Sequence, residues 1–141
     1  MFYMTEETIF DKILKGEIPA HKVYEDEHTF AFLDIAPINK GHTLVIPKTS
    51  TRNILTADKE TFAHVMETVR TLSPKIKEAV GADGITIGIN NEAAGGQEVF
   101  YLHAHIIPRF ENDGHKHWGG ESYKEGEAEE TLVKIVNQLK N

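Results

Sequence analysis

At 141 residues the chain has the length of one domain with a single ordinary core. It is 40% hydrophobic and 26% charged, with no apolar run approaching a bilayer span, so a membrane partner is not expected. A net charge of −7 argues against a protein that tracks a nucleic-acid backbone, while leaving room for a locally positive pocket that holds a small anion. The absence of cysteine removes disulfides and thiolate zinc sites. The N-terminal MFYMTEETIF is acidic and too short in its apolar run for a secretory signal, which makes the cytoplasm the expected location.

In chain order, TEETIFDKILKGEIP opens on a candidate cap at Thr5 and places Ile9, Phe10, Ile13 and Leu14 at helical spacing, closed by Gly16 and Pro19. Three strands follow: a short one on Val23 and Tyr24, one over Thr29 to Ile35, and one over Thr43 to Ile46 after the turn Pro37 to Gly41. From Thr56 to Val80, apolar residues recur at three and four, predicting a long helix that Pro74 kinks or splits near Ser73. ITIGINN is a strand and NEAAGGQE a glycine-rich loop. Val99 to Ile107 is a strand, and the polar segment after Arg109 leads to an amphipathic helix on Leu132, Ile135, Val136 and Leu139. Successive strands with flanking helices indicate an α+β domain with an antiparallel sheet of about five strands.

VFYLHAHIIPR, residues 99–109, carries the chemistry. At strand period, Val99, Tyr101, His103, His105 and Ile107 share one face, and Phe100, Leu102, Ala104 and Ile106 share the other, apolar one. Same-face neighbours sit about 7 Å apart at Cα. Three readings are open. The polar face is a half-exposed surface with no task. The two imidazoles are part of a zinc site completed by His115 or His117. Or a neutral imidazole is a nucleophile toward phosphorus, needing no separate base. The upstream loop favours the third, since Gly95 and Gly96 let backbone N–H groups approach an anion and Asn90 can donate an amide.

The blocks TIFDKILKGEIP, FAFLDIAP, GHTLVIPK, IGINNEAAGGQEV and HAHIIPR, in this order from about residue 8 to 109, resemble the bacterial Hit-like branch of the histidine-triad (HIT) family. The resemblance implies one HIT domain over 1–141, with its core at about 8–109 and a C-terminal loop and helix at 110–141. It implies a homodimer, with the long helix and neighbouring sheet edge as contacts, and no cofactor. It also implies a purine nucleotide substrate, adenosine by expectation, cleaved at the α-phosphate through a nucleotidyl-histidine. His103 takes the place of the nucleophile, His105 that of the residue assisting the leaving group, and His42 that of a further histidine beside them. Asn90, Gly96 and the backbone around Gln97 and Glu98 take the phosphate. Asp34 takes the ribose, and Ile9, Phe10, Phe32 and Ile35 line the base pocket, with Ile13 beside them or in the core. The segment from Phe110 to Tyr123, with His117 and Trp118, is expected to shape the leaving-group side.

Two positions depart from the family pattern. Tyr101 replaces the first histidine of the triad. The positions that hold structural zinc in many relatives are Thr8, Asp11, Ser50 and Tyr101, none of them cysteine or histidine, so no metal is expected. Glu98 stands where many relatives place serine or threonine, and strand parity directs its carboxylate away from His103. A binding module without turnover, and a metal-dependent hydrolase, are the alternatives.

Overall fold

Thr8 opens the first helix through a reciprocal cap: its hydroxyl accepts from the Asp11 N–H at 3.3 Å, and the Asp11 carboxylate accepts from the Thr8 N–H at 2.7 Å. The computed structural model describes residues 6–141, so the cap expected at Thr5 lies outside the described residues. Helix α1 (Ile9–Leu14) is followed by strands β1 (Lys22–Glu25), β2 (Thr29–Leu33) and β3 (Thr43–Pro47). Helix α2 (Lys59–Val80), β4 (Gly84–Gly88), β5 (Ala104–Arg109) and α3 (Glu127–Leu139) complete the chain. The five strands form one sheet in the order β1-β2-β3-β5-β4, every neighbour antiparallel. This is the α+β architecture expected from the sequence.

Both faces of the central strands are covered. Val65, Val69 and Leu72 of α2 pack with Ala31, Val45, Leu102, Ala104 and Ile106. On the other face Phe10 of α1 packs with Phe32, Leu44, Ile46 and Tyr101. Burial on two sides explains why all five residues of β3 are buried and no alternation survives there. It also corrects the reading of the histidine face: Tyr101 (1% exposed) and His103 (7%) lie under Phe10, not in solvent.

Three element boundaries differ from expectation for identifiable reasons. Pairing of β5 with β3 ends at Ala104 opposite Val45; residues 99–103 lie outside the strand, with a bend at 99–101, and the Leu102 N–H turns to the Thr51 carbonyl at 2.8 Å. Strand parity therefore does not apply to Glu98. β2 stops at Leu33 because Asp34 Oδ1 accepts from the Ala36 N–H and makes the turn before Pro37. Helix α2 begins at Lys59, capped by Asp58 on the Thr61 N–H, and runs unbroken through Pro74. There Ser73 Oγ donates to the Val69 carbonyl within the turn that proline interrupts.

Helix α3 buries none of its residues against the rest of the chain, and Leu132, Val133, Ile135, Val136 and Leu139 are exposed. Among the described residues no helix is long and apolar enough to cross a membrane.

Candidate active site

Three imidazoles meet where β3 and β5 run side by side. His105 lies in β5 opposite Leu44 on one side and Gly88 on the other. His103 precedes β5, and His42 precedes β3. Gly41 sets His42 in place: its φ is +90°, and a Cβ there would stand 2.9 Å from Val80 Cγ1 and 3.2 Å from Pro108 Cγ, so only glycine fits.

The hydrogen-bond pattern fixes the protons. The Ile38 N–H donates to His42 Nδ1 at 3.1 Å, which puts the His42 proton on Nε2. That proton points at His105 Nδ1, 2.9 Å away. His105 therefore carries its own proton on Nε2, a buried atom with no partner. His103 donates from Nδ1 to the Tyr101 carbonyl at 2.7 Å, leaving the Nε2 lone pair free. Burial pulls all three imidazoles below the ordinary histidine range. His105 falls to about 4, with charge on His103 or His42 adding to the effect of burial. All three are neutral near pH 7.

These groups open into a cavity of about 530 Å³. It gathers almost every residue singled out from the sequence: Ile9, Phe10, Ile13, Phe32, Asp34 and Ile35 on the apolar side, His42, His103 and His105 at its floor, and Asn90, Gly96 and Glu98 on the loop. Phe10 stands edge-on to His103, ring centroids 5.0 Å apart. Asp34 Oδ2 lies 3.7 Å from His42 Nε2 while Oδ1 serves the turn. Ile13 packs partly buried on the core and also touches the cavity.

Gln97 lies outside the cavity wall, only 4% exposed. Its Oε1 accepts from the Glu92 N–H at 2.8 Å and from Asn53 Nδ2 at 3.0 Å, and its Nε2 donates to the Arg52 and Val99 carbonyls. The glycine-rich loop is arranged differently from expectation. The N–H groups of Gly95, Gly96 and Gln97 bond back to the carbonyls of Glu92 and Ala93, because the loop closes as a tight 3-10 turn. The Glu98 N–H has no partner among the described residues. Asn90 donates to the Gly96 carbonyl at 3.3 Å, and Gly96, at φ +92°, leaves no side chain over that amide.

Sequence reading missed Asn53. It is fully buried and joins the segment after β3 to this loop through Gln97 and Glu92. Arg52 clasps Glu92 with two hydrogen bonds and lies over the Phe100 ring at 4.3 Å. Glu92 itself holds φ +65°, an uncommon conformation for a side-chain-bearing residue. No local motif marks Asn53; its partners are 39 and 44 residues away.

Metal ligation fits this arrangement poorly. Among the described residues, Asp34, His42 and His105 bring ligand atoms within 4.8 Å of one another; His103, His115 and His117 are not in that group. A cation on His42 Nε2 needs that nitrogen stripped of its proton, which then moves to Nδ1 and confronts the Ile38 N–H. The positions aligned with structural zinc are engaged elsewhere. Thr8 bonds Asp11 at 2.8 Å and the Tyr101 hydroxyl donates to the Pro47 carbonyl at 2.5 Å.

Comparison with known proteins places this geometry. Residues 15–112 match the HIT domain family, and the chain belongs to it. The family is one of nucleotide-binding proteins. An uncharacterized HIT-like protein of Methanocaldococcus jannaschii is 45% identical over 133 residues, 94% of this chain and 98% of that one. The crystal structure of a HIT family member from Bacillus subtilis superposes with a TM-score of 0.85 at 38% identity, covering 94% of this chain and 96% of its own. The adenylylsulfatase HINT3 of Arabidopsis thaliana is 37% identical over 110 residues, 78% of this chain and 56% of that one.

Proposed function

We propose that this protein is a purine nucleotide hydrolase or nucleotidyl transferase that cleaves at the α-phosphate through a nucleotidyl-histidine on His103. The supporting observation is the orientation of His103: its Nδ1 proton is tied to the Tyr101 carbonyl, so the Nε2 lone pair is available beside the unpartnered N–H of His105. The Nε2 lone pair forms a bond to the α-phosphorus. The bond from phosphorus to the bridging oxygen breaks, and its electron pair leaves with the departing group, which accepts a hydrogen bond from His105 Nε2. Water then attacks the phosphorus and gives up a proton to solvent, the N–P bond breaks, and its electron pair returns to His103 Nε2.

The remaining roles follow the cavity. The Glu98 N–H and the Asn90 amide hold the α-phosphate oxygens, with Gly96 leaving the approach open and Gln97 and Asn53 holding the loop from behind. Asp34 Oδ2 takes a ribose hydroxyl, and Ile9, Phe10, Phe32 and Ile35 take the base. Adenine is the base we assign, in keeping with the adenylyl substrate named for the Arabidopsis relative. A homodimer belongs to the same reading: β4 is an open sheet edge, and α3 presents an apolar face that its own chain leaves bare. The cytoplasm, where such nucleotides reside, is the location we assign. Turnover requires no cofactor and persists after exhaustive chelation; its loss on chelation would restore the metal-dependent reading.

The deciding experiment is intact-mass spectrometry after rapid acid-free quenching of a reaction with adenosine phosphoramidate. A nucleotidyl adduct on the wild type, absent from His103→Ala, is the expected result. Equal AMP binding by both proteins with no adduct and no turnover marks a binding module instead.

A further inference from the structure

The nucleotide cavity has an unexpected charge for an anion site. Its walls carry no lysine or arginine, yet they include two carboxylates, Asp34 and Glu98. Glu98 is exposed, so solvent screens it. Asp34 is more sheltered, with a side chain 21% exposed, and its one ion-pair neighbour among the described residues is His42, which is neutral near pH 7. A carboxylate so placed repels a phosphate. Holding a ribose hydroxyl does not require that charge, because a neutral amide oxygen accepts the same hydrogen bond.

The backbone fixes this carboxylate. Leu33 pairs with Thr43 at the end of β2 and β3, and the next bond of that ladder runs from the Asp34 N–H to the His42 carbonyl at 2.9 Å. Oδ1 accepts from the Ala36 N–H at 2.9 Å, while Oδ2 faces His42 Nε2 at 3.7 Å. Asp34, His42 and His105 bring polar atoms within 4.8 Å of one another, and the rings of His105 and His103 lie 4.9 Å apart, centroid to centroid. We propose that the Asp34 carboxylate is the built-in counter-charge for the cationic imidazolium that forms when His103 bonds the α-phosphorus; this rests on the nucleotidyl-histidine reading above and adds a second task to a residue assigned there only to the ribose.

Electron counting requires such a charge. His103 Nε2 gives its lone pair to phosphorus while Nδ1 keeps its proton on the Tyr101 carbonyl. The ring therefore gains one positive charge as the bond from phosphorus to the departing group breaks and that pair leaves. It does so in a buried place, edge-on to Phe10, where burial opposes a cation. Around the three imidazoles, Phe10 of α1 and Asn90 of the loop are uncharged, and Asp11 of α1 is tied to Thr8. Asp34 is the acid that favours positive charge on His42, His103 and His105 alike. A charge already in place needs no reorganisation when the imidazolium appears, which is the condition for lowering the barrier. Once water cleaves the N–P bond, the pair returns to Nε2 and the ring is neutral again.

The test follows the His103 adduct by rapid-quench mass spectrometry in wild type, Asp34→Asn and Asp34→Ser. Both variants keep an oxygen for the Ala36 N–H and lose only the charge. The substrates are adenosine phosphoramidate and its 2′,3′-dideoxy counterpart, which has no hydroxyl for Asp34 to hold. Each variant is expected to form the adduct roughly tenfold more slowly on both substrates, the size of one well-placed charge beside an ionisable group, while adduct hydrolysis is not slowed. The acid limb of adduct formation should move to lower pH, because the imidazoles lose the charge that raised them. Histidine NMR titration reads the same change without turnover: all three imidazoles should titrate lower in the variants. Variants that match wild type on the dideoxy substrate would confine Asp34 to the ribose and overturn the proposal. Formation and hydrolysis slowed together, with the titrations unmoved, would mark a structural lesion and overturn it equally. No adduct in the wild type on either substrate would defeat the nucleotidyl-histidine reading and this inference with it, whereas the other outcomes leave that reading standing.

Discussion

The Tyr101 carbonyl oxygen and His103 Nδ1 are 2.7 Å apart, so the residue at position 101 orients the neighbouring imidazole through its backbone and not through its side chain. The phenol points the other way, into the core, and bonds the Pro47 carbonyl. A histidine at 101 is therefore dispensable for the tautomer of His103.

Replacing Tyr101 tests this directly. Tyr101→Phe is expected to leave kcat within about threefold of wild type while costing about 1–3 kcal/mol of stability, because the buried Pro47 carbonyl loses its donor. Denaturant unfolding and steady-state kinetics on one preparation separate the two effects. A fall in kcat beyond about tenfold without loss of folding would assign the phenol a direct part in turnover.

His42 acts on His105 from behind. With His42→Ala the Nδ1 of His105 loses its donor, and the ring is free to carry its proton on either nitrogen. We expect kcat to drop by roughly one to two orders of magnitude with KM little changed, since the lost interaction serves the departing group. An equal rise in KM would show that His42 serves binding instead.

Asn53 positions the phosphate loop without reaching the cavity. Asn53→Ala takes one donor from Gln97 Oε1, which keeps only the Glu92 N–H, and one from the Glu92 carboxylate, which keeps only Arg52, and it leaves a hole at a fully buried position. The expected result is a rise in KM of about tenfold and a stability loss of about 2 kcal/mol. Asn53→Asp, which sets a carboxylate against Glu92, should be worse on both counts. Nucleotide affinity unchanged in the alanine variant would remove Asn53 from this role.

Histidine burial carries a pH signature. The folded-state values of His42, His103 and His105 lie below the unfolded value, so the unfolded chain binds more protons between them and stability rises with pH in that window. The contribution is whole above about pH 6.5 and is lost as pH falls toward about 4, where His105 titrates. Tm should hold steady from pH 8 to 7 and decline below 6.5, less steeply in His105→Asn. The acid limb of kcat/KM should fall at a lower pH than that of an unshifted nucleophile, which would be half protonated at about 6.5, because burial lowers His103.

How much of this was legible beforehand depends on the distance over which each feature is decided. The helical spacing of Phe62 to Val80, the β-branched strands and the glycine turns are written in neighbouring residues, and the α+β class followed from them. The ordered blocks from TIFDKILKGEIP to HAHIIPR sufficed to name the family and to collect the cavity residues. Hydrogen-bond partners are another matter. His42 meets His105 across 63 residues and Asn53 meets Gln97 across 44, and no local period encodes either contact. Which side of the histidine strand is wet was decided by the docking of Phe10, and which loop amides stay free was decided by the 3-10 closure after Glu92. Local sequence sets what each segment can form; burial and proton placement arise only when distant segments close on one another, because both depend on what the other side of the contact provides.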